Sequence, residues 1–198
     1  MHHLGIFDII FIVMWLLFAA IRAPHEFRSK RARHVESRKS GAEKFCLLLV
    51  FTGTTTMPVL YLFTHWFDFA DFVLDPRFGG IGALCAGAGL ALYWMVHRDL
   101  GYEFSPTLQL KEDHHLVTTG IYSRIRHPMY TALFMIATAQ LLLIANAVVA
   151  PAFLIAFTIL YFSRIEKEER MMMEHFGKAY ADYRLRTHRL LPALRKQE

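Results

Sequence analysis

Hydrophobic residues in this chain fall in long unbroken runs, and the polar residues fall in blocks between them. The runs at 4–21, 45–66 and 78–97 each have the roughly 20-residue length of a membrane-crossing helix. The last run, 129–162, is too long for one crossing and suffices for two only with a sharp turn, expected near Ala145-Asn146. Pro151 falls early in the second arm, where a helix tolerates it. The pattern predicts an all-α membrane bundle of about five spans, 4–21, 45–66, 78–97, 129–145 and 147–163, forming one domain over 1–198. Pro58 is expected to bend the second span. The tail reads as amphipathic helix, with Gly177 capping one helix and Pro192 ending the next.

Composition sharpens this picture. Of the 198 residues 55% are hydrophobic, above the usual share of a soluble domain. A net charge of +5 would suggest nucleic acid in a soluble protein. Here the cations cluster beside apolar runs, notably Arg28, Lys30, Arg31, Arg33, Arg38, Lys39 and Lys44, so no nucleic-acid partner is expected and membrane lipids are. The loop 67–77 carries Asp68, Asp71 and Asp75, and the Asn146 turn is uncharged. Lys and Arg favour the cytoplasmic side, which places the N-terminus outside and the tail in the cytoplasm, as an odd number of spans requires. The first run lacks a basic leader region and a small-residue cleavage site, and reads as a retained span or a signal anchor. Asp8, near its outer end, can reach headgroups or water. Cys46 and Cys85 both fall in spans and form no disulfide framework or zinc spacing. Gly79, Gly82, Ala83, Ala86, Gly87 and Gly89 give the third span small faces for close packing; inside an apolar helix they are no dinucleotide fingerprint.

Two polar blocks, 98–128 and 164–198, flank the last apolar run and are expected to meet at one membrane face. Arg164 and Glu168 are four residues apart on a shared helix face, at a boundary where a cation can hold an anionic headgroup or a carboxylate. Pro128 suits the first residue of a helix, whose free N–H groups can bind an anion. Gly120 allows close backbone approach in a turn, and Tyr122 and Tyr130 can stack on a flat base or cover a cation, or simply anchor the membrane interface. His114, His115 and His127 match no standard zinc spacing, so no metal is expected.

At these residues the chain resembles the isoprenylcysteine carboxyl methyltransferase family. The resemblance lies in His114-x-Leu116-Val117-Thr118-x-Gly120-x-Tyr122, in Arg126-His127-Pro128-x-Tyr130, and in Arg164-x-x-x-Glu168-Glu169 followed by Phe176-Gly177-x-x-Tyr180-x-x-Tyr183 and Pro192. It covers about 104–192, and the chain has the length of short prokaryotic members. The resemblance implies an S-adenosylmethionine-dependent membrane enzyme that methylates the carboxylate of a prenylcysteine-like, lipophilic substrate. It also implies that Gln109, His114, His115, Leu116, Val117, Gly120, Tyr122, His127, Pro128, Met129, Tyr130 and Glu168 line the cofactor pocket. Arg164 would hold the substrate carboxylate, and Arg164 with Glu168 would form the catalytic pair. Three alternatives stand beside this reading: a phospholipid or small amine or thiol methyltransferase, an NADPH-dependent reductase of the sterol-reductase type, and a non-catalytic membrane scaffold.

Overall fold

The structure, a computed structural model, describes residues 5–31, 41–100 and 116–192. Helix α1 spans Ile6–Arg31, α2 Gly41–Phe51, α3 Met57–Phe63, α4 Pro76–Leu100, α5 Pro128–Leu143, α6 Val149–Phe176 and α7 Lys178–Arg186. Among the described residues, four helical stretches are long and apolar enough to cross a membrane: Ile6–Pro24, Gly41–Phe63, Pro76–Leu100 and Val149–Phe176. Leu16, Leu48, Leu84, Ile155 and Phe162 are exposed along them, as suits side chains whose solvent is lipid. The chain is a multi-pass integral membrane protein built as a helical bundle.

The predicted final hairpin is present but unequal. Its turn falls at Asn146, as expected, but α5 has only 16 residues and α6 has 28. A 16-residue helix rises about 24 Å, short of a hydrocarbon core of about 30 Å. Helix α6 instead runs through Arg164 and Glu169 to Phe176 without a break, because nothing before Gly177 interrupts helical geometry. Gly177 then turns the chain at φ +52°, a left-handed conformation that favours glycine, and α7 begins. The last helix ends at Arg186, six residues before Pro192, and not at the proline. The intervening strap pairs back onto the start of the hairpin: Arg126 N–H donates to His188 O at 2.8 Å and His127 N–H to Arg189 O at 3.0 Å.

Between α2 and α3 the helix takes one π turn, Thr52–Thr56, close to the bend expected at Pro58. In this turn Met57 N–H bonds Thr52 O, which releases Gly53 O. Pro58 has no N–H to offer Thr54 O. Both carbonyls find partners on other helices: Gln140 Nε2 donates to Gly53 O at 3.0 Å and Trp15 Nε1 to Thr54 O at 3.0 Å. The backbone defect thus becomes the link joining this span to α1 and α5, because an unpaired carbonyl inside a membrane is costly.

At the opposite end from the polar blocks, Asn146 is fully buried. Its Nδ2 donates to Phe67 O and Asp71 Oδ1, both at 2.7 Å, and its Oδ1 accepts Val148 and Val149 N–H at 3.0 and 2.9 Å. One amide therefore uses all four of its hydrogen-bonding positions. It caps α6 and ties the acidic loop to the hairpin turn, which puts those two segments at one end of the bundle. Helix α4 packs closely on α5 through the small face predicted for it, where a Cβ on Gly82 would lie 2.9 Å from Leu142 and one on Gly89 3.0 Å from Ile136. Gly87 meets nothing within 4 Å and plays no part in that contact. Asp8 is buried and accepts Gly5 N–H at 2.9 Å, so it caps its own helix.

Candidate functional site

The two polar blocks meet at the end of the bundle away from Asn146. Pro128 opens α5, with His127 as its N-cap. Tyr130, within the first turn, donates its hydroxyl to Glu168 Oε1 at 2.7 Å and stands edge-on to Tyr161 at 5.1 Å between centroids. The same Glu168 oxygen lies 3.4 Å from Arg164 Nε, the i,i+4 contact expected on α6. Arg164 is only 8% exposed, and its Nε makes no formed hydrogen bond. His127 lies against both acids, Nδ1 at 3.8 Å from Glu168 Oε2 and Nε2 at 3.4 Å from Glu169 Oε1, and that Nε2 is likewise buried without a formed hydrogen bond. Arg164 Nε and His127 Nε2 therefore each face a carboxylate, Glu168 and Glu169 respectively, at 3.4 Å without closing a hydrogen bond, so the two acids and the two bases form one compact buried charge cluster.

A second charge cluster supports the first. Glu169 is 4% exposed. Its Oε1 accepts Arg126 Nε and Nη2, each at 3.2 Å, and its Oε2 accepts Arg189 Nη2 at 2.8 Å. Arg126 also donates to the carbonyls of Thr187 and Arg184, and Thr131 Oγ1 donates to Leu190 O at 2.6 Å. The Glu169 carboxylate holds the Arg189 guanidinium well above its ordinary pKa, so the strap stays charged where it crosses. Under α7, Tyr183 donates to Tyr122 O at 2.6 Å, and burial raises the pKa of both phenols. Burial pushes the Tyr180 hydroxyl up to about 12, with the nearby Glu169 carboxylate adding to the shift. These contacts bind hairpin entry, α6, α7 and strap into one unit. A cleft of about 240 Å³ opens beside it, lined by Glu166, Glu169, Arg170, Met173, Glu174 and Arg184.

Of the residues expected at a cofactor pocket, His127, Pro128, Met129, Tyr130 and Glu168 come together with Arg164. Leu116 and Val117 are half-buried, leading into the turn. Gly120 sits at φ +59° against α4, where a Cβ would collide with the Asp99 carboxylate, while Ile121 N–H donates to Asp99 Oδ2 at 2.9 Å. Its glycine is therefore required by the docking of this turn onto α4. Tyr122 is buried beneath α7 rather than presented to a stacking partner. Gln109, His114 and His115 lie outside the described residues. Two participants went unnoticed in the sequence. Glu43, in the first turn of α2, brings Oε1 to 4.0 Å from Arg164 Nη2. Arg189 completes the Glu169 cluster. Glu43 stands beside the basic connector, where a lone acid reads as solvated, and only the packing of α2 on α6 brings it here.

Comparison with known proteins bears on the same half of the chain. The isoprenylcysteine carboxyl methyltransferase (ICMT) family matches over residues 81–174. The chain is similar to protein-S-isoprenylcysteine O-methyltransferase of Schizosaccharomyces pombe, with 31% identity over 114 residues, covering 58% of this chain and 48% of that protein. It is similar to the Dictyostelium discoideum enzyme of the same name, with 32% identity over 106 residues, 52% of this chain and 45% of the relative. The chain thus spans about half the length of these relatives. Among solved structures, the eukaryotic intramembrane Ras methyltransferase ICMT matches with a TM-score of 0.52 at 23% identity, over 93% of this chain and 62% of that one, a likeness of fold.

Proposed function

We infer, from the match of residues 81–174 to the isoprenylcysteine carboxyl methyltransferase family, a membrane methyltransferase that uses S-adenosylmethionine to esterify the carboxylate of a lipophilic, prenylcysteine-like acceptor. The observation that carries this reading is Arg164, a buried guanidinium without a closed hydrogen bond at Nε, held midway along α6 beside Glu168 and Tyr130.

The residues fit the cofactor. A sulfonium ligand with an ammonium group suits carboxylates, and Glu168 has one oxygen engaged by Tyr130 while His127 and Arg164 retain donors. Glu168, His127, Pro128, Met129 and Tyr130 would hold it, with Gln109, His114, His115, Leu116, Val117, Gly120 and Tyr122 completing the pocket as the family resemblance implies. When bound, S-adenosylmethionine supplies an electrophilic methyl carbon.

What the chain must do follows from the nucleophile. A carboxylate is already ionised at neutral pH, so no general base is needed. Arg164 pairs with the acceptor carboxylate and fixes its direction, a task for which a planar guanidinium is suited. Alignment to about 3–3.5 Å is the main source of rate. Tyr130 holds Glu168 in place, and that carboxylate balances the positive charge of the guanidinium beside it. The surrounding Tyr161 and Phe157 rings exclude water, which strengthens each of these interactions. The prenyl tail would lie among the helices from the membrane side, and the cationic face of the bundle would be cytoplasmic.

Purified protein in detergent tests the cofactor reading. The expected result is that S-adenosylhomocysteine raises the thermal midpoint and NADPH leaves it unmoved. Stabilisation by NADPH alone would favour the reductase, and no response to either would favour the scaffold.

A further inference from the structure

The geometry points to Glu43 as a positioning residue that sets the direction of the Arg164 guanidinium toward an acceptor carboxylate; this rests on the role proposed for Arg164 above.

Arg164 is bracketed by two carboxylates from different parts of the chain. Glu168, on its own helix, lies 3.4 Å from Nε. Glu43, in the first turn of α2, lies 4.0 Å from Nη2. All three side chains are largely buried, with 10%, 18% and 15% of Arg164, Glu168 and Glu43 exposed. Charge interactions are strong where water is thin. A separation of 4.0 Å is too long for a hydrogen bond, which needs about 2.7–2.9 Å between charged partners. Glu43 therefore orients the guanidinium electrostatically and leaves the Nη donors available to a third group.

Glu168 is itself fixed, because Tyr130 donates to the oxygen that faces Arg164. With Glu168 alone, the guanidinium would be drawn back along α6, as i,i+4 partners on one helix are. Glu43 lies on a different helix, α2, and its charge draws the terminal nitrogen Nη2 off that line. It touches neither the transferred methyl nor, in this arrangement, the acceptor. Its contribution is the direction of the cation that does. The glutamate is anchored for this task, because α2 packs along α6 and the π turn two to three helical turns further on is tied to α5 through Gln140.

Binding of two analogues tests this. One is N-acetyl-S-farnesylcysteine; the other is its carboxamide, with the same prenyl tail and no charge. Replacing Glu43 by Gln (Glu43→Gln) keeps size and removes charge. The expected result is binding of the carboxylate weakened about tenfold, binding of the amide unchanged, and S-adenosylhomocysteine affinity unchanged. Glu43→Asp, which restores the charge one methylene further away, recovers part of the loss. In turnover the change appears in the acceptor KM rather than in cofactor binding. Equal weakening of both analogues would mean that Glu43 only supports the fold, and no weakening of either would mean that Arg164 does not need it; both results overturn the assignment. Native protein that failed to prefer the carboxylate to the amide would overturn the carboxylate reading of Arg164 itself, a result distinct from failure of Glu43.

Discussion

At the scale of single residues, Arg164 and Glu169 differ in what they support, although both are buried and charged. Arg164 has an unbonded Nε, whereas Glu169 has both oxygens engaged by arginines. Arg164→Ala should therefore cost activity far more than stability. We expect methylation of a prenylcysteine acceptor to fall by at least about 100-fold, as when one partner of a buried charge pair is removed, while S-adenosylhomocysteine still stabilises the protein. Survival of activity would remove Arg164 from the substrate site. Glu169→Gln should do the reverse, leaving Arg126 and Arg189 without the carboxylate that neutralises them, at a cost of about 3 kcal/mol or more, read as a lowered thermal midpoint and faster proteolysis of the tail. The Arg164–Glu168 contact was legible because i,i+4 spacing is a property of the sequence. The Glu43 contact was not, because it depends on which helix α2 packs against.

At the scale of elements, the first three apolar runs coincide with apolar helices to within a few residues, the last run does not divide into two equal spans, and Pro128 and Gly177 marked a helix start and stop as expected. Hydropathy could not reveal the unequal arms of the final hairpin, since an amphipathic helix can leave an apolar one with no change of axis. Nor could it reveal the strap that returns from α7 to the hairpin entry, where paired backbone groups decide the path. Two linkages invisible to periodicity should dominate the stability of the helical elements. Asn146→Ala would strand the backbone N–H groups of Val148 and buried Val149 and release the acidic loop, a loss of about 3 kcal/mol, measurable by chemical denaturation in detergent. Gly53 packs on the backbone of α6, where an added Cβ would lie 2.9 Å from Ala152. Gly53→Leu should thus separate α2 from α6 and destabilise by about 1–3 kcal/mol or more; a variant as stable as the parent would show that the π turn does not fix this contact.

At the scale of the whole molecule, the bundle has a chemically distinct face at each end. Asp68, Asp71 and Asp75 lie at the Asn146 end, and Arg124, Arg126, Arg164, Arg170, Arg184 and Arg189 gather at the other. The charge bias predicts that the second end is cytoplasmic. In a background with Cys46 and Cys85 replaced, Val73→Cys should react with an impermeant maleimide in intact cells, and Leu185→Cys only after permeabilisation; the opposite pattern would invert the topology. Both positions are highly exposed, so access alone decides the outcome. The polar cluster lies at the start of a helix about 24 Å long, shorter than a hydrocarbon core of about 30 Å. That arrangement leads to the central claim, which product chemistry tests most directly. Purified protein is incubated with S-adenosylmethionine labelled in its methyl group and N-acetyl-S-farnesylcysteine, and the lipophilic product is treated with mild alkali. Label released as methanol, and absent with Arg164→Ala, is the result predicted for a carboxyl methyl ester. Label that stays bound through alkali, or no transfer at all, would contradict carboxyl methylation.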